Sequence, residues 1–300
     1  MPSLSAATYA TLDDVRREIA NPVATDVADD PTARHARRAV CARIDTELPN
    51  CTFLPIIETR YYDARSQRFG GDVSGLDLIL DRDLLTLTSV TNGDGSVLSG
   101  SDYTLLPKTG APYNRIRLKA NGAVAWTTDA AGDYEDVIAV SGVWATGGGW
   151  KTGVDTLSAA VVSTTASTLT LTWSANTDWL LLEPRFSPGQ LIRIDSEYMA
   201  VLSANDEAKT LTVTRGERGS TAATHLNGAT VDVWEVDPML RQAAARWAMV
   251  VMRRMGRDTD SQFDAVTQIA TRFAKDIPAD VAAVLEQYRP RFSVQGAQAI

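Results

Sequence analysis

Residues 59–107 decide the fold class, with TRYYDA at 59–64 and LDLILDRDLLTLTSVTNGDGSVLSGSDYTLLP at 76–107. Three runs of β-branched, aromatic or alternating apolar residues predict strands at 60–62, 76–80 and 85–90. Asn92-Gly93-Asp94-Gly95 predicts a hairpin turn, because Asn-Gly and Asp-Gly both tolerate positive φ. A calcium loop is the weaker interpretation, since the oxygen ligands are too few and the closing glutamate is missing. Further strands are predicted at 103–106, 115–118 and 136–143.

Helical sequence flanks this β-region on both sides. Thr11 is placed to cap a helix that runs to about residue 20, and Asp30-Pro31 begins a second helix that ends near residue 48. Asp237-Pro238 begins a strong helix that ends near residue 255, and two more are predicted at 261–275 and 278–288. We therefore expect helices from the two ends of the chain to pack together around the β-region.

The sequence between residues 151 and 235 is richer in Ser, Thr and Val. Short strands separated by polar turns are predicted there at 158–162, 168–173, 180–183, 191–194, 197–202, 210–215 and 230–235. This pattern is typical of a small β-barrel or sandwich. The predicted fold class is α+β, with a helical bundle from both termini, a central antiparallel β-region and an inserted small β-domain. The predicted division is a core of residues 1–150 and 236–300 and an insert of residues 151–235.

Bulk composition narrows the classes of function. The 300 residues carry a formal net charge of −8, whereas a free-standing nucleic-acid binder needs an excess of clustered Lys and Arg. Cys41 and Cys51 are too few for a disulfide framework, so we expect reduced thiols. An apolar run of about 18 residues and a signal peptide are both missing from the sequence, so we expect neither membrane contact nor export.

The sequence offers no catalytic, cofactor-binding or metal-binding constellation. His35 and His225 come with no G-x-S-x-G nucleophile elbow, and we expect His225 to be a hydrogen-bonding residue of a loop. GERGST at 216–221 lacks the lysine of a P-loop, so it predicts a turn between strands. The tryptophans in or beside the insert are expected to fill its core rather than to stack on sugars or bases. They are Trp144, Trp150, Trp173, Trp179 and Trp234.

Four arginines lie on the second predicted helix, away from its apolar stripe. They are Arg34, Arg37, Arg38 and Arg43. A charged helix face is usually just solvated, but it can also contact DNA or an acidic partner. These four arginines are therefore candidates for an interface.

Together, the residues resemble the head-to-tail connector family of tailed bacteriophages, also called adaptor or head-completion proteins. The resemblance covers roughly residues 8–150 and 236–293 and lies in the order of its motifs. These are ATLDDVRREI, TRYYDA, LLTLTSVTNGDG, LSGSDYTLLP, RIRL, VIAVSGVWA, DPMLRQAAARWAMVVMRR and IPADVAAVLEQYRPRF. The insert has a resemblance of its own, because FSPGQLIRIDSEYMAVL, LTVTRGERGSTAATH and GATV are similar to a small β-module of phage neck and tail proteins.

The resemblance implies a structural virion protein rather than an enzyme, with no cofactor. It implies a ring, typically of about twelve copies, that docks beneath the portal protein, seals the packaged head and offers a platform to a tail-side neck or tail-completion protein. Packaged DNA would pass through the lumen without sequence-specific binding. The implied location is the neck of the virion, at the head–tail junction, after assembly in the host cytoplasm.

Two sets of residues are candidates for contacts in such a ring. The arginines Arg34, Arg37, Arg38 and Arg43 are candidates for an inter-subunit or lumen face. The polar C-terminal end is the candidate for docking into the portal, through Arg289, Arg291, Phe292, Ser293 and Ile300. The alternative function is a tail or fibre-proximal binding protein whose β-insert recognises a surface glycan or another virion protein.

Overall fold

The computed structural model describes residues 6–19, 31–64, 75–178, 183–257 and 277–289. These parts of the chain contain thirteen strands and four helices. The helices are α1 (Leu12–Glu18), α2 (Pro31–Glu47), α3 (Pro238–Arg257) and α4 (Ala279–Tyr288). The strands are β1 (Ile56–Tyr62), β2 (Asp77–Thr91), β3 (Tyr103–Leu106), β4 (Tyr113–Leu118), β5 (Ile138–Trp144), β6 (Gly149–Thr156), β7 (Thr168–Thr170), β8 (Thr177–Asp178), β9 (Glu183–Pro184), β10 (Leu191–Ile194), β11 (Glu197–Asn205), β12 (Thr210–Thr214) and β13 (Thr230–Glu235). The helix predicted at 261–275 lies outside the described residues.

The predicted fold class was wrong. The described chain is mostly β, with two antiparallel sheets of five and six strands, and its four helices do not form a helical bundle built from both termini. The physical reason lies in what covers the helices. Their apolar faces pack against the second sheet as well as against each other, so the helices are a layer on a β-structure. Helical periodicity predicts that a face is buried, but it does not say what buries it.

The first sheet has the strand order β1-β5-β2-β4-β3, and every neighbouring pair is antiparallel. Its longest strand is β2, a continuous strand of 15 residues where two strands had been predicted. Irregular register within β2 bends this strand, so that its first half pairs with β4 and its second half with β5. The inner face is fully buried and consists of large apolar side chains, namely Leu84, Ile116, Ile138, Val140 and Trp144.

The predicted NGDG turn follows β2, and neighbouring chain holds it in place. The Asn92 side chain donates a hydrogen bond from Nδ2 to the carbonyl of Ala125 at 2.9 Å and accepts one from the Thr127 amide at 3.1 Å. After the turn, Val97 forms only an isolated bridge with Thr91, so the hairpin is short. The turn prediction is confirmed, while its partner strand is reduced to a single residue.

The second sheet has the strand order β6-β13-β10-β11-β12-β7, all antiparallel, and its six strands all come from residues 149–235. The short strands β8 and β9 of the same range pair only with each other. It has a hydrophobic core of its own, in which Phe186, Ile192, Met199 and Leu211 are fully buried. Strands predicted at 191–194 and 230–235 are confirmed residue for residue. The strand predicted at 158–162 is absent, because within that stretch only Val161 bridges to a neighbour.

The helices and the second sheet share one hydrophobic cluster. Val40 of α2, Leu240 and Trp247 of α3, and Tyr198 and Trp234 of the second sheet all belong to it. Burying one side chain as large as Trp247 contributes roughly 1.5–3 kcal/mol. The insert is therefore joined to the rest of the chain by a continuous core.

Helix α1 begins as the sequence predicts. The Thr11 hydroxyl accepts from the Asp14 amide at 3.1 Å, and the Asp14 carboxylate accepts from the Thr11 amide at 2.7 Å. This reciprocal capping box satisfies amides that the first helical turn leaves without partners. The same carboxylate also binds Arg241 of α3, so the cap connects the two ends of the chain.

Candidate functional site

A dense polar constellation lies at one end of the second sheet, around the carboxylate of Glu197. Glu197 is fully buried at the start of β11 and accepts hydrogen bonds from Arg215 Nε at 2.6 Å and Arg215 Nη2 at 2.7 Å. It also accepts from the amides of Gly216 at 3.1 Å and Ala223 at 2.8 Å. His225 Nε2 lies 2.8 Å from its second oxygen. We call these residues, together with Asp195, the Glu197 cluster.

Asp195 completes the cluster on its solvent side. It occupies the β10–β11 turn, where its φ of 54° is unusual for a residue other than glycine, and one of its carboxylate oxygens lies 2.8 Å from His225 Nδ1. The imidazole therefore lies between two carboxylates, one fully buried and one 63% exposed. The prediction that His225 is a hydrogen-bonding loop residue is confirmed. Its partners could not be predicted, because they are 28 and 30 positions away in the sequence.

The electrostatics of the Glu197 cluster favour a permanent charge on Glu197. Burial by itself raises the pKa of this carboxyl, but the hydrogen bonds from Arg215, Ala223 and His225 outweigh burial, so the pKa is lowered from its usual value. A carboxylate that stays ionised and has every lone pair occupied is a poor general base. The arrangement therefore holds the β10–β11 turn, Arg215 and residues 223–225 together. A glutamate directly before the apolar run YMAVL at 198–202 was the sequence signal that could have revealed it.

The GERGST stretch is a turn, as predicted, and it joins the two sheets. Arg218 Nη2 donates to Thr52 Oγ1 and to the Leu54 carbonyl, each at 2.8 Å, and the Arg218 carbonyl accepts from the Ile57 amide at 2.9 Å. Gly219 packs so closely on β1 that a Cβ atom there would lie 2.0 Å from the Ile57 carbonyl oxygen. The turn resembles a phosphate loop only in composition, because its polar groups are used against residues 52–57.

A cleft of about 310 Å³ lies between the N-terminal segment and the second sheet. Residues 8, 9 and 11 form one wall, and β6 and β13 form the other. Lys151, Glu235 and Arg241 are among the charged side chains that line it, and Lys151 Nζ lies 3.9 Å from Glu235 Oε1. Arg241 also pairs with Asp14, which lies outside the lining, at 2.7 Å. The cleft is therefore a polar part of the contact between the N-terminal segment and the second sheet.

Arg37, one of the four predicted interface arginines, is buried and does not belong to an exposed face. Its Nη1 donates to Thr8 Oγ1 at 3.0 Å, to the Ala10 carbonyl at 3.4 Å and to the Pro188 carbonyl at 2.8 Å. It therefore attaches the N-terminal segment and α2 to the loop before β10. The prediction that this side chain is solvated, or free to face a lumen or a neighbouring subunit, needs this correction.

Arg34, Arg38 and Arg43 are partly exposed on α2 and keep access to solvent. Arg43 pairs with Glu47 one turn later, at 2.6 Å. Exposed pairs of this kind contribute little to stability. These three arginines remain candidates for an interface.

The C-terminal docking candidates are described only at Arg289. Its guanidinium lies 3.0 Å from Glu286 and 3.5 Å from Glu47 of α2, and its side chain is half exposed. Arg291, Phe292, Ser293 and Ile300 lie outside the described residues. Ion pairing with α2 places the start of this end beside the helical layer.

Three of the five tryptophans fill cores, as predicted. Trp144, Trp173 and Trp234 are buried, and Trp179 lies outside the described residues. Trp150 is only partly buried, and the guanidinium of Arg193 lies 4.5 Å from the centre of its ring. One face of the Trp150 indole is therefore already occupied by a cation.

Both cysteines are free thiols. The Tyr9 amide donates to Cys41 Sγ at 3.2 Å, and burial raises the pKa of Cys41 to about 12. Burial also raises the pKa of Cys51. Neither thiol is activated as a nucleophile, because a nucleophilic cysteine needs a lowered pKa.

The described residues hold no group of three or more His, Cys, Asp or Glu side chains that could bind a metal ion. Nor does any helix within the described ranges have the length and apolar character needed to cross a membrane.

Comparison of the chain with known protein families, with curated proteins and with solved structures finds no match.

Proposed function

We propose that this chain is a structural virion protein, a head-to-tail adaptor that forms a ring between the portal and the tail. In this role it seals the packaged head and offers the tail its attachment platform. The proposal starts from the order of connector-like motifs in residues 8–150 and 236–293. Its partners are further copies of itself, the portal protein and a tail-side neck or tail-completion protein.

The observation that carries the proposal is that these two motif-bearing stretches contact each other, although the insert separates them in the sequence. The rings of Phe53 and Tyr288 meet edge to face, with centroids 5.0 Å apart. Asp14 and Arg241 form a two-pronged ion pair with distances of 2.7 and 2.9 Å. Such contacts support one connector-like unit with an insert, rather than two unrelated halves.

The proposed role is served by surfaces and needs no reactive group. A ring requires one contact between two different patches, repeated around a closed axis. The net charge of −8 suits a channel through which DNA slides without sticking. Arg34, Arg38 and Arg43 on α2 and Arg289 beside it are partly exposed, so a neighbouring subunit can reach them.

The glycan-binding alternative is not favoured by the tryptophans on which it depended. In the described part of the insert, Trp173 and Trp234 are buried and Trp150 is covered on one face by Arg193. Sugar recognition by stacking needs an open aromatic face. The described tryptophans therefore give no support to glycan recognition by stacking.

Electron microscopy of particles assembled without this protein tests the proposal. We expect filled heads that lose DNA or fail to join tails, and we expect the protein supplied in trans to restore tailed particles. Normal tailed particles in its absence would refute the adaptor function. A second arm removes residues 293–300, and we expect weaker binding to purified portal with an unchanged unfolding midpoint. Unchanged portal binding would refute the docking role of this end.

A further inference from the structure

Neither edge of the first sheet is paired with a further strand in the described part of the chain. β1 pairs with β5 alone, and β3 pairs with β4 alone. The Ile57 amide donates to Arg218 on the side away from β5, at 2.9 Å. Backbone groups alternate in direction along a strand, so those of Thr59 and Tyr61 also point away from β5. Tyr61 is 61% exposed, so the open part of this edge is accessible.

The same reasoning defines the opposite edge. The Lys119 amide donates to the Asp102 carbonyl at 2.8 Å, one step beyond the pairing of Tyr103 with Leu118. Hydrogen-bonded and non-hydrogen-bonded pairs alternate in an antiparallel ladder. The backbone groups of Tyr103 and Leu105 therefore point away from β4. Each edge offers main-chain donors and acceptors to a further strand.

The β3–β4 edge is cationic. It carries Lys108, Arg115, Arg117 and Lys119. One buried carboxylate, Asp77, accepts from Arg115 Nη1 at 2.8 Å and from Arg117 Nη2 at 2.6 Å. Lys108, Arg117 and Lys119 line a cleft of about 370 Å³ beside this edge. On a chain with a net charge of −8, such a concentration of positive charge favours an anionic partner.

An acidic loop, residues 129–136, lies beside the end of β1. The Ala64 amide donates to the Tyr134 carbonyl at 2.7 Å, and the Asp136 amide donates to Asp63 Oδ1 at 3.1 Å. These bonds hold the loop of residues 129–136 beside the end of β1. The loop contributes Asp129, Asp133, Glu135 and Asp136, and residues 120–137 contain neither Lys nor Arg.

We infer that the β1 edge of one copy of this chain, with its acidic loop, docks against the cationic β3–β4 edge of a second copy. The two surfaces have opposite charge and lie on opposite edges of one sheet, so the contact is heterologous and repeats from copy to copy. Because all neighbours in the five-stranded sheet are antiparallel, β1 and β3 run in the same direction, and a strand pair between copies would be parallel. The inference rests on the proposed function and names the surfaces on which the ring would be built.

The competing explanation is protective. Lysines on edge strands often prevent unwanted pairing between sheets, and Lys108 and Lys119 lie beside an edge strand. The two explanations predict different effects of reversing the positive charge. A docking lysine replaced by glutamate weakens association, whereas a protective lysine replaced by glutamate leaves association unchanged or strengthens it.

Charge reversal of the full-length chain, followed by mass photometry and light scattering at low and high salt, tests the inference. We expect Lys119→Glu to weaken self-association by at least about tenfold, because it places like charges together. Lys209→Glu is the matched control, since Lys209 is an exposed lysine in a turn of the second sheet. We expect this control to associate like the unchanged chain. High salt should weaken the association of the unchanged chain.

A complementary variant keeps the test independent of any folding defect. Glu135→Lys reverses an exposed charge on the acidic loop, and we expect it to associate weakly alone but to form mixed assemblies with the Lys119→Glu variant. Equal association of the Lys119 and Lys209 variants, failure of the mixture to assemble, or a monomeric unchanged chain would overturn the inference. If the chain associates as inferred but particles lacking it have normal tails, the adaptor function fails and the edge contact stands.

Discussion

Replacing Gly219 with alanine should release the turn that joins the two sheets. Gly219 has φ +83°, and an added Cβ would lie 2.0 Å from the Ile57 carbonyl oxygen, where real contacts are essentially never under 3.0 Å. The turn must therefore withdraw by about 1 Å. This movement breaks the hydrogen bond from the Ile57 amide to the Arg218 carbonyl. It also breaks the three hydrogen bonds from the Arg218 guanidinium to residues 52–55.

The magnitude follows from these contacts. Four hydrogen bonds at a net 0.5–1.5 kcal/mol each amount to about 2–6 kcal/mol. The left-handed backbone adds about 1–2 kcal/mol for any residue with a Cβ. Gly228 provides the matched control, because its φ is +82° and its Cβ would meet nothing within 4 Å. Gly228→Ala should therefore cost only the backbone contribution.

Urea unfolding measures the loss of stability, and amide hydrogen exchange measures the loss of the Ile57 hydrogen bond. We expect Gly219→Ala to lower the free energy of unfolding by about 2–6 kcal/mol more than Gly228→Ala does. We also expect the Ile57 amide to exchange at least about tenfold faster in the Gly219 variant only. Equal destabilisation by the two variants, with Ile57 equally protected in both, would refute the close approach of the turn to β1.

Three further predictions concern buried polar groups. Arg37→Met removes three hydrogen bonds and should lower the free energy of unfolding by about 2–4 kcal/mol, whereas Arg43→Met on the same helix should change it by less than about 0.5 kcal/mol. Equal costs in chemical denaturation would contradict the burial of Arg37. The folded-state pKa of Glu197 lies below its unfolded value, so its stabilisation is present above about pH 4.3 and is lost as the pH falls through the folded pKa. Unfolding midpoints measured between pH 7 and 3 should therefore fall more steeply for the unchanged chain than for Glu197→Gln, and parallel profiles would count against the cluster. Because burial raises the pKa of Cys41 to about 12, its thiol should react with DTNB at pH 8 much more slowly in the folded chain than in urea. Equally fast labelling in both states would show that this thiol is accessible.

The β-elements show where local sequence is sufficient and where it is not. LIRI and TVDVWE are rich in β-branched and other apolar residues, and both are strands within the predicted bounds. The stretch DRD at residues 81–83 reads as a break between two strands, yet β2 continues through it. Asp81 accepts from Arg60 and from the Tyr62 hydroxyl, both of which belong to β1. A charged residue inside a strand is tolerated because a partner distant in the sequence neutralises it.

The candidate contact residues divide in the same way. The composition of α2 correctly indicated a charged helix, but it could not show that Arg37 is buried while Arg34, Arg38 and Arg43 are partly exposed. The Glu197 cluster has no local sequence motif, because its members come from two strand ends and a loop. These polar groups stand out from other charged residues only because they are buried, and burial is a property of the packed chain.

The sequence by itself determined the local structure of this protein: the capped start of α1, the NGDG turn, most strands of both sheets and the absence of a recognisable reactive motif. These features depend on residues within a few positions of each other. Only the tertiary structure decided that α3 packs on α1, α2 and the second sheet, and that the GERGST turn connects the two sheets. Arg37 and the Pro188 carbonyl, which meet at 2.8 Å, are 151 positions apart. No local pattern encodes such a pair, because the contact exists only when the whole core is assembled.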